Sequence, residues 1–153
     1  MNLTIRAIEQ HDEQRWRELW DAYSRFYEME PSGHITRHTW NRLMDPLCPV
    51  FSVVAVDVSA SVVIGFANYV LHENTSTIKP VCYLEDLFVT PDKRAAGVGH
   101  CLIDWLVAQM RVHGWARLYW HTREKNYRAR GLYDKYTQRS DFVRYDLNNP
   151  DLA

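Results

Sequence analysis

An α+β fold, in which helices flank one mixed central β-sheet, is predicted for this chain of 153 residues. Three observations predict it: segments rich in alternating β-branched residues, apolar residues at helical spacing, and the order in which the two kinds of segment follow each other. The predicted order is β-α-α-β-β-β-α-β-α-β. A chain of this length is expected to form a single domain, residues 1–153, with its own hydrophobic core.

The first half of the chain is predicted to hold one strand, two helices and a β-hairpin. Leu3–Ile8 alternates as a short strand does, and apolar residues recur along one helical stripe over residues 16–27. A second, shorter helix is expected over Ile35–Met44, where Asp-Pro ends it. Val50–Val58 and Val62–His72 then form the two antiparallel strands of the hairpin.

The next strand and the longest helix follow a polar loop. Val81–Thr90 reads VCYLEDLFVT and is predicted as a strand, and the segment PDKRAAGVGH after it opens a helix over Val98–His113. Apolar residues cover most of that helix, which predicts that it is largely buried. Gly114 stands where a C-terminal cap belongs.

The last third of the chain is predicted to add a strand, a helix and a final strand. Leu118–His121 is the strand, and Thr122 is a candidate N-cap for the helix after it. Apolar residues at i, i+3, i+4 and i+7 mark that helix over residues 129–136. Phe142–Tyr145 is expected to form the last strand.

Composition excludes several classes of protein. The formal charge of −1 argues against binding nucleic acid through bulk charge. The three cysteines form no C-x-x-C pair and no third ligand accompanies the i, i+4 histidines His34 and His38, so no metal site is expected. No apolar run approaches the length of a membrane span, and the first residues do not resemble a signal peptide. We therefore expect a cytoplasmic protein.

The strongest local motif is Arg94-Ala-Ala-Gly97-Val-Gly99, between a predicted strand and a helix. A helix N-terminus offers unpaired N–H groups and partial positive charge, and glycine lets an anion approach the backbone closely. Lys93 and Arg94 add charge at the same place, so the segment can cradle a pyrophosphate. The alternative is a tight turn. The sequence contains no Walker loop, and Leu102 stands where a dinucleotide fingerprint needs glycine.

The segment YLEDLFV-TPDKRAAGVG-HCLIDWL resembles the acetyl-coenzyme A binding motif of the GNAT acetyltransferase superfamily, [QR]-x-x-G-x-[GA]. A second segment, with Asn126, Ala129 and Leu132-Tyr133-Asp134-Lys135, is similar to the family's N-x-x-A-x-x-LYxK pattern. The surrounding W-H-T-R-E-x-N sequence resembles the subgroup that contains Hpa-type and polyamine acetyltransferases. The Gly-Phe pair that many relatives carry after this helix is missing here, where the chain reads Tyr136-Thr-Gln-Arg-Ser-Asp-Phe142.

The resemblance implies a splayed sheet that receives acetyl-coenzyme A beside the strand Val81–Thr90. The pantetheine would pair with the backbone of Leu87, Phe88 and Val89. The pyrophosphate would lie on the amides of one continuous segment, which comprises Arg94, Ala95, Ala96, Gly97, Val98, Gly99 and His100. Asn126 and Tyr133 would line the cofactor channel.

Glu85 is the first candidate for the general base that neutralises an attacking amine. It stands mid-strand among apolar neighbours, where a carboxylate is costly unless it is used or paired, and strand alternation groups it with Tyr83 and Leu87. The alternative is a solvent-facing or salt-bridged strand residue. Asp86 is expected on the opposite face, where it either binds a second ammonium group or anchors the strand.

Tyr133 is the candidate acid for the thiolate leaving group. Asn126, Ala129 and Tyr133 lie on one helical face, and the family resemblance makes that face line the cofactor channel. The alternative is an ordinary core tyrosine in an amphipathic stripe. Cys101 lies in a helix without an evident base and is expected to pack rather than react.

The acceptor pocket is expected to include Tyr27 and Glu28 after the first helix, with His121 at a strand end; a solvated helix end is the alternative for the first two.

The predicted function is acetyl transfer from acetyl-coenzyme A to a primary amine of a small molecule, such as a polyamine or diamino acid, by direct attack in a ternary complex. The alternatives are a protein or peptide lysine acetyltransferase and a non-catalytic acyl-coenzyme A binding regulator. A homodimer is expected by analogy with relatives, with the aromatic C-terminal strand pairing between subunits.

Overall fold

The computed structural model describes residues 1–152. The chain forms two compact units, Met1–His121 and Thr122–Ala153, of which the first contains the entire sheet. The single domain that chain length predicts for residues 1–153 stays a prediction. No helix among the described residues is long and apolar enough to cross a membrane.

The first unit contains five strands and three helices. Its strands are β1 (Leu3–Ala7), β2 (Val50–Asp57), β3 (Val62–His72), β4 (Val81–Val89) and β5 (Arg117–Trp120). Its helices are α1 (Glu13–Phe26), α2 (Gly33–Met44) and α3 (Val98–His113). Short 3-10 turns at Gln10–Asp12 and Pro91–Ala96 precede α1 and α3. The predicted mixed α+β architecture is confirmed.

The strands lie in the sheet in the order in which the chain makes them, β1-β2-β3-β4-β5. Neighbours from β1 to β4 are antiparallel; short loops join β2 to β3 and β3 to β4, whereas α1 and α2 lie between β1 and β2. β5 is parallel to β4 after the crossover through α3. The bounds predicted for β3 and α3 coincide with those observed. Gly114 ends α3 with φ 68°, as its position predicted.

Helices cover both faces of the sheet. The aromatic stripe of α1, with Trp16, Trp20 and Tyr23, packs on Phe66 and Phe88 on one face. On the other face Tyr69 of β3 contacts Trp105 of α3. Four apolar side chains of α3 are buried, namely Val98, Leu102, Ile103 and Leu106. Val112 is 76% exposed, so the helix is buried only in part and not largely, as its apolar surface predicted.

Gly65 of β3 allows an unusually close approach to β4. A Cβ at this position would stand 2.8 Å from the carbonyl oxygen of Phe88. Because that oxygen belongs to the backbone, a side chain here would push the two strands apart. Gly65 therefore sets how closely β3 packs against the C-terminal end of β4. This end of β4 leads into the segment that contains Arg94, Gly97 and Gly99.

The second unit contains α4 (Tyr127–Tyr133), and here two predictions are wrong. Asn126, not Thr122, caps α4, because the Asn126 side chain accepts a hydrogen bond from the Ala129 N–H. Phe142–Tyr145 forms no strand; Phe142 and Tyr145 are more than nine-tenths exposed. A strand needs a neighbouring strand for its N–H and C=O groups, and this segment pairs with none in the sheet.

Candidate functional site

The edge of β4 that faces β5 is open over its second half. The two strands pair from Val81↔Arg117 to Leu84↔Trp120, and the pairing ends there although β4 continues to Val89. An extended ligand that carries amide groups can hydrogen-bond to such an edge as an added strand does. The predicted cofactor-binding residues Leu87, Phe88 and Val89 all lie on this open half.

A β-bulge interrupts β4 at the first residue of the open half. Asn68 of β3 pairs with Asp86, but the next residue, Tyr69, pairs with Leu84, so Glu85 is an extra residue without a β3 partner. The bulge changes the side-chain alternation that the sequence predicted: Asp86, expected on the face opposite Tyr83, falls on the same face as Tyr83. Glu85 is exposed rather than enclosed by apolar neighbours.

Asp86 is partly buried and accepts two hydrogen bonds. Oδ1 accepts one from the Tyr23 hydroxyl at 2.6 Å, and Oδ2 accepts one from Asn68 Nδ2 at 3.0 Å. Burial raises the pKa of Asp86, and the two hydrogen bonds offset only part of that effect. Burial and the neighbouring Asp86 carboxylate likewise raise the pKa of Tyr23, so its hydroxyl stays protonated.

The glycine-containing motif forms the connection from β4 to α3, as predicted. Pro91–Ala96 makes a 3-10 turn, and Gly97 follows in the left-handed conformation with φ 77°. A Cβ built on Gly97 would meet no atom within 4 Å, so glycine is needed here for its backbone conformation and not for lack of space. The first turn of α3 contains no acidic residue and suits an anion.

The two basic residues of this connection contact other parts of the first unit. Arg94 Nε donates to the Val89 carbonyl at 3.0 Å, and its guanidinium lies over the rings of Phe26 and Phe88, 5.1 and 5.5 Å from their centroids. Lys93 Nζ lies 3.8 Å from Asp57 Oδ2. The Arg94 side chain thus ties the motif to α1 and to β4.

The predicted acceptor residues Tyr27 and Glu28 lie where α1 ends. Glu28 adopts the left-handed conformation with φ 55°, and Met29 N donates to the Ser24 carbonyl, a C-terminal capping arrangement. The Tyr27 ring packs against the Tyr23 ring, 4.8 Å between centroids. Tyr23 in turn contacts Asp86, so one chain of contacts joins the end of α1 to the bulge.

A row of rings on β3, β4 and β5 was not predicted, apart from His121. Tyr83 and Tyr119 stack with centroids 5.0 Å apart; His72 Nε2 lies 2.7 Å from the Tyr119 hydroxyl, and His121 Nδ1 lies 3.2 Å from the Tyr83 hydroxyl. The parallel register that pairs Tyr83 with Tyr119 brings the row together. Its one sequence signal is a tyrosine two residues after the start of each paired segment.

The second unit holds the other two predicted cofactor-site residues. Asn126 caps α4, and its Nδ2 also donates to Thr122 Oγ1 at 3.2 Å. Tyr133 is the last residue of α4. Of the three residues predicted to share a helical face, Ala129 and Tyr133 lie in α4 and Asn126 is its N-cap, while their roles toward a ligand stay predictions. In residues 1–152 no three His, Cys, Asp or Glu side chains are grouped so as to hold a metal ion.

Comparison with known proteins assigns this arrangement to a family. Residues 13–137 match the model of the acetyltransferase (GNAT) family. The chain is 33% identical over 146 residues to the D-amino-acid N-acetyltransferase HPA3 of Saccharomyces cerevisiae. The aligned region covers 95% of this chain and 91% of the yeast protein.

Solved structures share the fold. A ribosomal-protein-alanine N-acetyltransferase from Brucella melitensis biovar Abortus superposes with a TM-score of 0.81 at 19% identity, covering 97% of this chain and all of the other. AAC(6')-Iy, solved with the bisubstrate analogue CoA-S-monomethyl-acetylneamine, gives a TM-score of 0.73 at 22% identity, covering 96% of this chain and all of the other.

The chain therefore belongs to the GNAT family. Within that family it is an acetyl-coenzyme A dependent N-acetyltransferase, the class that the glycine-containing motif and the LYxK segment predicted.

Proposed function

We propose that the protein transfers the acetyl group of acetyl-coenzyme A to a primary amine of a small molecule. The observation that carries the proposal is the position of Glu85: an exposed carboxylate on a bulge, at the point where β4 loses its β5 partner. A carboxylate at the mouth of an open strand edge is placed to meet an amine that approaches a thioester bound along that edge. The 33% identity to an enzyme named for D-amino acids favours a small acceptor.

The donor is proposed to bind along the open half of β4 and over the connection to α3. The backbone of Leu87, Phe88 and Val89 pairs with pantetheine amides, and residues 94–100 bind the pyrophosphate through their N–H groups. The family motif implies that Asn126 also contacts the cofactor. The left-handed Gly97 and the absence of acidic residues in the first turn of α3 support this assignment.

The chemical step is a direct attack of the amine nitrogen on the thioester carbonyl. At about pH 7 an alkyl ammonium with pKa near 10.4 lies about 3.4 units from neutrality, or roughly 4.6 kcal/mol. Glu85 takes that proton, directly or through water, and so lowers this barrier. A backbone N–H of the open β4 edge stabilises the oxyanion, and Tyr133 protonates the departing thiolate.

The acceptor is proposed to bind between the end of α1 and the bulge, in contact with Tyr27, Glu28 and Glu85. His121 and the tyrosines of the ring row border the same face of the sheet. Acidic groups attract an ammonium, and aromatic faces bind the apolar part of an amine. The contacts that join Tyr27 through Tyr23 to β4 support this placement.

A panel of amines tests the proposal. Thiol release from acetyl-coenzyme A is followed with D-amino acids, diamino acids, polyamines and lysine-containing peptides, after coenzyme A binding has been confirmed by calorimetry. The proposal predicts turnover on at least one small amine. Turnover on peptides alone would instead favour a protein acetyltransferase, and binding without turnover on any amine would favour an acyl-coenzyme A sensor.

We further propose a homodimer in a reducing, cytoplasmic compartment. The free state of Cys48, Cys82 and Cys101 supports the compartment. Exposed apolar residues of the C-terminal segment, Phe142, Tyr145 and Leu147, support self-association, because water-exposed apolar side chains gain by burial against a partner. Light scattering of the full chain beside a variant with these three residues changed to serine tests the dimer: the full chain should have twice the monomer mass and the variant should be monomeric.

A further inference from the structure

We infer that Asp86 is a positioning residue: it fixes the bulge that presents Glu85, and it does not bind the acceptor's ammonium. The inference rests on the proposed function and concerns how the same site is built. It decides between the two roles that a carboxylate next to the base can have. The observations are the register of β3 and β4, the donors to Asp86, and the packing of those donors.

The first observation is that the bulge needs a fixed neighbour. An extra residue in one strand leaves its own backbone groups out of the ladder and bends the strand, so its side chain has no direction imposed by pleating. Glu85 is that extra residue, and Asp86 is the first residue after it that pairs again with β3. Whatever holds Asp86 therefore sets the geometry of Glu85.

The second observation is that Asp86 is held from two other elements. Tyr23 of α1 donates to one carboxylate oxygen at 2.6 Å, and Asn68, the cross-strand partner of Asp86 on β3, donates to the other at 3.0 Å. Both oxygens thus have a protein donor, and α1, β3 and β4 meet at a single carboxylate.

The third observation is that neither donor can easily turn away. Tyr23 is 6% exposed and its ring contacts Trp20, Phe66 and Phe88; Asn68 is 3% exposed. Among the described residues no cationic side chain acts on Asp86, and burial raises its pKa, which makes a full negative charge less favourable there. Neutral, fixed donors on both oxygens suit an internal anchor better than a site for an incoming cation.

Three variants separate the two roles. D86A removes both hydrogen bonds, and Y23F removes one of them without changing β4. D86N keeps an oxygen that accepts the hydrogen bond from Tyr23. Asn68 Oδ1 is buried and has no hydrogen-bond partner in the structure. If the Asn68 side-chain amide rotates by 180°, this oxygen can accept a hydrogen bond from the new amide nitrogen at position 86. D86N therefore removes the charge but retains the anchor.

The kinetic test compares a monoamine with a diamine of the same chain length. An anchor predicts that D86A and Y23F lower kcat roughly 10- to 100-fold, because a misplaced base is costly, with the KM for acceptor and the Kd for coenzyme A within about twofold of the parent. D86N should restore kcat to within about threefold of the parent and leave the diamine-to-monoamine ratio of kcat/KM unchanged.

The inference is overturned if D86N raises the KM for the diamine about tenfold or more while the KM for the monoamine stays unchanged, or if Y23F retains the parent kcat. Amide hydrogen exchange at Leu84–Leu87 supplies an arm independent of activity: Y23F should exchange faster there and D86N should not. If D86A fails to fold, Y23F and D86N still decide the question. If the parent acetylates no amine but the exchange pattern holds, the proposed function fails while the anchor stands.

Discussion

Glu85 is the residue on which the proposed chemistry depends most. Its exposure on the bulge means that the cost of burying a carboxylate, which first singled it out, does not apply in the folded chain. What distinguishes it is position: Glu85 is the extra residue of β4 and is exposed, whereas both carboxylate oxygens of the neighbouring Asp86 accept hydrogen bonds. The bulge thus replaces burial as the physical reason to assign the base to this residue.

The Glu85→Gln variant should lower kcat/KM by about 10²-fold or more near pH 7, without loss of coenzyme A binding. The effect should shrink as the pH approaches the pKa of the amine, because the acceptor then deprotonates in solution. Initial rates from about pH 6 to pH 10 measure it. The control is Glu73→Gln, another exposed glutamate close to the sheet. Full activity of Glu85→Gln across this range would remove the base assignment.

Tyr133 is the residue proposed to protonate the leaving group. The Tyr133→Phe variant should lower kcat by about 10²-fold, because the thiolate departs without a proton, while the acceptor KM changes little. Single-turnover rates with saturating acetyl-coenzyme A separate this chemical step from product release. Tyr127→Phe, on the same helix and 72% exposed, is the matched control. An unchanged single-turnover rate in Tyr133→Phe would show that another group donates the proton.

At the scale of elements, the Arg94 side chain holds the β4–α3 connection in place, although the sequence motif predicts that Arg94 binds an anion. Arg94 donates to the Val89 carbonyl and stacks on Phe26 and Phe88, so its guanidinium is engaged before any ligand arrives. Its main contribution to coenzyme A binding is then expected to be order in the connection. Charge and order can be told apart because lysine keeps the first and loses most of the second.

Arg94→Lys should therefore weaken coenzyme A binding nearly as much as Arg94→Ala does, by roughly tenfold or about 1.4 kcal/mol. Calorimetric titration of both variants measures the effect. Lys93→Ala is the control, since Lys93 lies in the same connection and its Nζ is 3.8 Å from Asp57 Oδ2. If Arg94→Lys bound like the parent while Arg94→Ala did not, the charge itself would be the contribution.

The sequence predicted the elements of the fold far better than the contacts of the site. The bounds of β3 and α3 follow from their own apolar patterns, which is why both are correct to the residue. The bulge at Glu85 depends on how two strands align, and no pattern within β4 contains that information. The same holds for Tyr23 and Asp86, which are 63 residues apart in the chain and meet only when α1 packs on the sheet.

The final strand shows a different kind of failure. Phe142–Tyr145 has strand-forming residues, but a strand exists only when a partner satisfies its backbone groups, and the described chain provides none. Pattern alone gives the propensity of a segment and not the presence of its neighbour. A second copy of the chain is the neighbour that the proposed homodimer would supply.

At the scale of the whole molecule, one buried ion pair should govern part of the response to acid. Asp12 is 4% exposed; burial acts to raise its pKa, but hydrogen bonds from Arg6, at 2.7 and 2.9 Å, and from the Glu9 N–H outweigh burial and lower it. A lowered pKa in the folded state means that the stabilisation is complete well above the ordinary value of about 3.9 and is lost as the pH falls through the folded value.

Asp12→Asn should accordingly flatten the fall of the free energy of unfolding between about pH 5 and pH 2, at the cost of lower stability near neutrality. Urea unfolding at a series of pH values measures both effects. Asp21→Asn, an exposed position on α1, serves as the control and should leave the curve unchanged. If the free energy of unfolding of Asp12→Asn fell with decreasing pH as steeply as that of the parent, other carboxylates would dominate acid unfolding.

The kinetic mechanism is a property of the whole molecule. Direct transfer needs no covalent acetyl-enzyme. Burial raises the pKa of the Cys82 thiol on β4 to about 12, which keeps this thiol protonated and poorly nucleophilic. The amine and acetyl-coenzyme A must then be bound together when the acetyl group moves.

Direct acetyl transfer to a small amine is tested by initial-rate kinetics. Acetyl-coenzyme A and the best small amine are each varied at several fixed concentrations of the other. A ternary complex on a small-molecule acceptor predicts thiol release that saturates in both substrates and double-reciprocal lines that intersect. Parallel lines would instead reveal an acetyl-enzyme intermediate, and the absence of saturable thiol release with every small amine would contradict the proposed acceptor class.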